Sequence, residues 1–501
     1  MKKIGFFCTL VLLISSCSLV EDTSSITSPH SFYKSREQCV SAINGCYIPL
    51  KNIYNYKMML AIEGCSDIAY ANSGTQDAQL DISPAKPRFG ADVWTQCYQG
   101  ISRCNTTLAG IGRSPIDESV KKPLAAETKV MRAFYYYVLT SFFGDVPFYR
   151  EEVSDKEVLE RVGRLGRMSA IDTRSALIDE LAACLPDMDQ VRACDVPDNR
   201  SGAAMGYMLI AKMALWNACK DVDAKSADWY ATALDACKTL ERIYGDIATY
   251  SLDDIPFRFK NTPESIFEIQ HAYVSGGITY TSNVACICMP YPREADTALY
   301  SDVEIPELGN EATTWSPMRP NAYFAGNLLP EGSDRRREMS VVTGWNGEKF
   351  TDTRPCFGPK FWCFGLKAQN DSNNYKVFRY ADVILMMAEI YCAQHNEVES
   401  MRYLNMIKNR AGIRTYDVFK SYEKLLDEII AERARELFGE FQRKFDLVRW
   451  GIWYDRTYTF TDSSMIKENI QRCHEYYPIP DKEVVYSGYA LDNKAYKEAG
   501  L

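Results

Sequence analysis

The sequence predicts a mostly α-helical protein: hairpins like those of tetratricopeptide units, with an irregular, partly β, loop-rich segment packed on them. Three observations predict it. Apolar residues step by threes and fours through most of the chain, the spacing that gathers them on one face of an α-helix. Between 170 and 244 three such segments follow one another across short connections, which suits antiparallel helix pairs, although the full tetratricopeptide consensus is absent. Between 271 and 375 the helical period vanishes, and Pro, Gly, Asn and aromatic residues take over.

In chain order, the first helices run from Tyr33 to Tyr47 and from Ile53 to Ile62, separated at Pro49. Residues 63–91 read as a polar loop carrying Asp67, Tyr70, Asn72 and Arg88. Trp94, Tyr98, Ile101 and Leu108 restart a helix. After Pro115 another places Val130, Phe134, Tyr137, Val138 and Phe142 at helical spacing, and Gly144-Asp145-Val146-Pro147 stops it. Amphipathic helices cover 170–190, 200–221 and 226–244, and 263–270 reads as a strand entering the irregular segment. Helices return at Tyr380–Ala393 and Ser400–Arg410, the second closed by Ala411-Gly412, because glycine accepts the left-handed backbone that ends a helix. A last long run begins near Ser421 and ends at Trp450. In it Ala434, Phe438, Phe441, Phe445 and Val448 fall on one helical face, which must be buried. The other positions interleave Arg433, Arg435, Arg443, Lys444 and Arg449 with Glu432, Glu436, Glu440 and Asp446, a polar side laced with ion pairs, with Glu440 placed to meet Lys444 one turn on. Beyond Tyr476-Tyr477-Pro478-Ile479-Pro480 the tail reads as coil-rich.

A chain of 501 residues exceeds one ordinary core, so two to four packed units or one extended helical domain are expected. Its net charge of -9 argues against a nucleic-acid partner, which clustered Lys and Arg would have to hold. The 32 Tyr, 22 Phe and 8 Trp are the main compositional clue, since aromatic faces pack cores and also offer ligands apolar platforms with polar tips. The 17 cysteines lack metal spacing and the 4 histidines lack a paired motif, so no zinc site and no cofactor are expected. Arg335-Arg336-Arg337, flanked by Asp334 and Glu338, reads as a set of ion pairs. No nucleophile elbow, zincin, Walker or dinucleotide motif is present; a glycosidase carboxylate pair is set in space and has no sequence signature.

Residues 1–16 have the form of a secretory signal, with Lys2 and Lys3 before a short apolar stretch. Leu13-Ile14-Ser15-Ser16-Cys17 resembles the bacterial lipobox, which makes Cys17 the expected lipidated N-terminus and 17–30 a tether. Acyl chains contribute about 0.8 kcal/mol per buried methylene and would hold the body at a membrane. The remainder divides into a helical region over 31–270, the irregular segment 271–375 and a helical region over 376–501.

Five stretches together resemble the SusD/RagB family of Bacteroidetes surface lipoproteins: Arg132-Ala133-Phe134-Tyr135-Tyr136 leading to Phe143-Gly144-Asp145-Val146-Pro147; Phe378-Arg379-Tyr380-Ala381-Asp382 with Ala388-Glu389; Leu404-Asn405 through Arg410-Ala411-Gly412; Glu432-Arg433 to Asp446-Leu447 and Arg449-Trp450; and Tyr477-Pro478-Ile479-Pro480. The resemblance implies a non-catalytic protein of the cell outer membrane, facing the exterior. It would bind oligosaccharides and pass them to a SusC-like TonB-dependent transporter. A RagB-like peptide binder is the alternative, and a lipid-anchored glycoside hydrolase a further one. A pyranose presents an apolar C–H face and a belt of hydroxyls, so it suits an aromatic platform flanked by Arg, Asn and Asp. The candidates for such a site are Tyr70, Asn72 and Arg88 in the first loop, and Tyr291, Trp315, Tyr323 and Trp345 in the irregular segment. Trp94 and Asn105 read as scaffold.

Overall fold

Helix pairs stacked on one another form the body. The computed structural model describes residues 32–72, 75–221, 225–273, 280–290, 314–332, 334–345, 348–350, 354–363, 366 and 369–501. The short helices α1 (Arg36–Tyr47), α2 (Leu50–Ile53) and α3 (Tyr56–Ile62) precede a long hairpin of α4 (Phe89–Arg113) and α5 (Glu118–Phe143). That hairpin closes tightly because of Gly100, where a Cβ would stand 2.3 Å from the Tyr135 ring. After α6 (Lys156–Val162), α7 (Ala170–Cys184) lies on α5, α8 (Ala203–Lys220) on α7, and α9 (Ser226–Tyr244) on α8. The one-turn helices α10 (Ala285–Cys288) and α11 (Arg337–Ser340) belong to the irregular segment. The stack resumes where α12 (Tyr380–Ala393) packs on α9 and pairs with α13 (Glu397–Ala411). As its sequence predicts, α13 ends at Gly412 with φ +72°, the Ile413 N–H reaching back to the Lys408 carbonyl at 3.1 Å.

Among the described residues four antiparallel strand pairs lie in and around the irregular segment. The predicted strand at 263–270 is β2 (Ser265–Ile269), and it pairs with β8 (Tyr375–Arg379) across a register shift. In the first loop β1 (Ala69–Ala71) pairs with β3 (Met318–Pro320). The pairs of β4 (Val341–Val342) with β7 (Cys356–Phe357) and of β5 (Gly344–Trp345) with β6 (Glu348–Lys349) are shorter still.

The C-terminal run departs from its sequence reading. It is two helices, α14 (Tyr422–Glu436) and α15 (Arg443–Arg449), with a turn between them in which Gly439 has φ +72° and Phe441 φ +60°. A Cβ at Gly439 would lie 2.4 Å from the Phe361 ring, so the turn needs glycine for both backbone and space. The five apolar residues are all buried, but the break sends them to different neighbours. Phe438 stacks on Phe324 at 4.4 Å, Phe441 meets Tyr54 edge-on at 5.6 Å, and Phe445 meets Phe142 at 5.6 Å. Four short helices follow: α16 (Trp453–Phe460), α17 (Ser464–Asn469), α18 (Asp481–Tyr486) and α19 (Lys494–Glu498). The last two lie in the tail expected as coil, being too short to show a period.

The polar side of this run is buried and has become the brace of the molecule. Glu436 is fully buried against Arg336 at 2.7 Å, Arg379 at 3.1 Å and Arg410 at 2.5 Å. Burial pushes its carboxyl up, but the guanidinium groups of Arg410, Arg379 and Arg336 outweigh burial and hold it well below the usual range. Arg379 also reaches Glu264 at 2.7 Å and Glu440 at 2.8 Å, joining β8 to the turn after α14. A second knot joins Arg433 to Asp382 and Asp446, both at 2.8 Å, and Arg449 to Glu389 and Asp446. Glu440 does not meet Lys444. It takes Lys360 at 2.6 Å, while Lys444 lies over the rings of Trp453 and Tyr477. Of the three consecutive arginines, Arg336 is buried against Asp334, Glu432 and Glu436, Arg337 points at the carbonyls of Ala325 and Leu329, and Arg335 is exposed. Glu338 is exposed and takes no part in an ion pair.

Candidate ligand-binding surface

The β1–β3 ladder brings the first loop and the irregular segment side by side. Tyr70 stands opposite Arg319 in this register, and the Asn72 N–H continues it onto the Pro317 carbonyl at 2.9 Å. Two residues before Pro317 is Trp315. Its N–H and that of Ser316 both donate to the Cys286 carbonyl at the end of α10, at 3.0 and 3.2 Å. Ser316 takes φ +40°, and buried Arg319 holds this turn through the Ser316 carbonyl at 2.6 Å and hydroxyl at 2.9 Å. With its backbone pinned so, the Trp315 side chain stays 41% exposed.

Its one ring neighbour among the described residues is Tyr56, edge-on at 5.9 Å and 78°. Asn55 caps α3 through its side chain, which accepts from the Lys57 N–H at 2.8 Å. Tyr56, first residue of that helix, donates its own N–H to the Asn283 side chain at 2.9 Å. The Asn283 N–H in turn meets the buried Tyr375 hydroxyl at 3.1 Å. Both rings are therefore carried on hydrogen-bonded backbone. Next along α3, Lys57 pairs with Asp92 at 3.2 Å, and Asn52 of α2 donates to Gln96 at 3.1 Å. Tyr280, 43% exposed, lies under the Lys51 ammonium at 5.0 Å. Such an arrangement offers an apolar face with hydrogen-bonding groups beside it.

The seven candidates are thus not gathered at one place. Tyr70, Asn72 and Trp315 share the edge of the β1–β3 ladder. Arg88 pairs with Asp81, which takes its Nη2 at 2.5 Å and, through its carbonyl, its Nε at 3.1 Å; Arg88 also opens α4 at φ +48°. Tyr323 is stacked flat on Phe460 at 3.8 Å and 18°, with Arg456 above it and Asp67 holding Arg456 at 2.7 Å. The backbone of Trp345 lies in β5, opposite Glu348. Tyr291 and Cys17 lie outside the described residues. Trp94 and Asn105 are buried as scaffold, Trp94 against Phe143 at 5.1 Å and Asn105 under Arg132 at 2.6 Å. Tyr56 and Tyr280 escaped the sequence reading because Tyr56 sits in a helical period and Tyr280 in an unpatterned stretch. The one available signal was the Asn55 cap, which places the next side chain at a helix mouth.

Comparison with known proteins gives two family matches, the SusD family over residues 343–496 and a family described as starch-binding, associating with the outer membrane, over residues 24–180. Between them they span more than half of the chain. The SusD-like protein P25 of Formosa agariphila is 26% identical, with 98% of this chain and 99% of that one aligned. Among solved structures, a SusD superfamily protein of Bacteroides vulgatus superposes with TM-score 0.73 at 19% identity over 92% of this chain and 99% of its own. Surface glycan-binding protein A of Bacteroides thetaiotaomicron, solved with laminarihexaose, does so with TM-score 0.70 at 19% identity over 91% and 98%.

Proposed function

Since this chain belongs to the SusD/RagB family, we propose that it is a surface lipoprotein that binds oligosaccharides on the exposed face around Trp315 and delivers them to a SusC-like TonB-dependent transporter. One observation carries the proposal: a tryptophan ring held in solvent on pinned backbone, with Tyr56 edge-on and Asn72 beside it. A sugar ring laid on Trp315 would bury its C–H face there and turn its hydroxyls toward Asn72, Lys57 and Asp92. Segment 271–375 supplies the central ring, and the first loop and α3 supply its flanks. Arg88 and Tyr323 serve as local braces. The protein itself performs no chemistry on the sugar, and the lipid on Cys17 keeps the body at the outer membrane. No helix among the described residues is long and apolar enough to cross a membrane.

Calorimetric titration with a panel of neutral glucans, laminarihexaose included, tests this reading. Saturable binding lost in Trp315→Ala is expected. Binding of peptides with no glycan response at millimolar concentration would move the protein to the RagB-like alternative, and appearance of shortened glycans would make it a hydrolase. Replacing Cys17 with alanine should release the protein from the membrane fraction.

A further inference from the structure

Away from the aromatic surface, and sharing no residue with it, a cavity of about 690 Å³ opens between the end of α5, the start of α7, the turn after Arg472 and α19. That volume is within the range of small-molecule sites, roughly 300–1,000 Å³. Arg174 lines it, 1% exposed, with its guanidinium over the Trp216 ring at 4.6 Å. Its Nε and Nη2 donate to the hydroxyl and carbonyl of Thr140 at 3.3 and 3.1 Å, both neutral acceptors. Among the described residues no carboxylate pairs with it. Several other buried arginines are matched: Arg132 has Glu180, Arg433 has Asp446, Arg443 has Asp67 and Arg449 has Glu389. Burial lowers the Arg174 pKa to about 10, so the group stays charged at neutral pH.

Lys220, at the end of α8, lines the same cavity and has no ion pair among the described residues. The other charges facing the space are committed. Arg167 pairs with Asp492 at 3.5 Å, Arg472 with Asp455 at 3.2 Å, and Lys494 with Glu498 at 3.9 Å. Asp145 accepts the Ala170 N–H at 2.8 Å, and burial pushes the Glu475 carboxyl up against the opposing pull of Lys220. Leaving a buried charge without a partner is strongly unfavourable, and a carboxylate brought in by a ligand would remove that penalty. Apolar wall from Phe143, Ile171, Tyr476 and Ile479 suits a ring rather than a bare ion, and Asp145 and Glu475 disfavour a second negative charge.

We propose that this cavity is a second binding site, which takes a monocarboxylate of about the size of an acidic monosaccharide, its carboxylate on Arg174 and Lys220. It goes beyond the glycan face and stands independently of it. The test titrates the full chain with glucuronate, with glucose as the neutral counterpart and sulfate as the bare dianion, read by saturation-transfer NMR and by the shift in Tm. Glucuronate should bind saturably and raise Tm, at least tenfold more weakly in Lys220→Ala and unchanged in Trp315→Ala, whereas glucose and sulfate do neither. Arg174→Gln should abolish binding; because that residue is buried, the half-exposed Lys220 carries the test if the variant does not fold. Equal binding of glucose or sulfate, no binding of glucuronate, or full affinity in Lys220→Ala would each overturn the proposal.

Discussion

The brace around α14 and the face around Trp315 make opposite use of the side chains that stand out in this sequence. In the brace, charge is abundant and mostly paired: buried Glu436 touches three guanidinium groups, and Glu264, Glu432, Glu440 and Asp334 supply the further negative charge they need. On the face, charge is sparse and an aromatic ring is left unspent, 41% exposed on a backbone held by Cys286 and Arg319. The density of a residue type therefore points to architecture, whereas a group left incompletely covered or paired points to a ligand. Arg174 carries the same lesson inside the core.

The largest effect expected from breaking this contrast is at the brace. Glu436→Gln leaves Arg336, Arg379 and Arg410 buried with too few negative charges and should cost about 3–5 kcal/mol. Chemical denaturation checks this, and a loss under about 1 kcal/mol would mean that the pairs contribute little. Next comes Glu63, buried where its carboxylate takes the N–H groups of Gln442 and Arg443 at 2.9 and 3.2 Å. Burial, only partly opposed by those N–H groups, raises its pKa from 4.5 to about 7. A raised carboxyl adds stability below its unfolded pKa of 4.5 and loses it as pH rises through 7. Glu63→Gln should then be more stable than the parent at pH 8, by up to about 3 kcal/mol, and lose that advantage near pH 5. His271 and His474, lowered by burial to about 4, act in the other direction, losing stability as pH falls from 6.5 toward 4, and are common to both proteins in the comparison. Smaller again is Tyr323→Ala, which removes the stack on Phe460 and should cost about 1–2 kcal/mol without altering glycan affinity. Arg88→Ala, breaking a partly exposed pair with Asp81, should cost under about 1 kcal/mol and also leave affinity unchanged.

The helices were legible because their information is local: three- and four-residue steps and the Gly412 cap survive in the sequence alone. The break at Gly439 was not, since Phe438, Phe441 and Phe445 keep helical spacing straight across it. The charged motifs were visible as motifs, but not their partners, which join positions as distant as Lys212 with Asp382 or Arg443 with Asp67. Three of the five family-like stretches turn out to meet in the two charged knots: Arg379, Arg410, Glu432 and Glu436 in the first, Asp382, Glu389, Arg433, Asp446 and Arg449 in the second. For the ligand face, Tyr70, Asn72 and Trp315 could be picked out as aromatic and polar residues in loops. Their meeting depends on β1 and β3, each of 3 residues and far apart in the chain, which leave no period to read. Tyr56 stayed hidden because a helix with five of its next six residues buried reads as core throughout.

The central claim is that glycan affinity lives on the exposed ring and stability on the buried ones, and Trp315→Ala tests it most directly. Calorimetry with a bound glucan should show affinity reduced roughly tenfold or more, as for other central aromatic contacts, with Tm within a degree or two of the parent. Unchanged affinity in a folded Trp315→Ala protein, or a loss of fold in its place, would contradict the account.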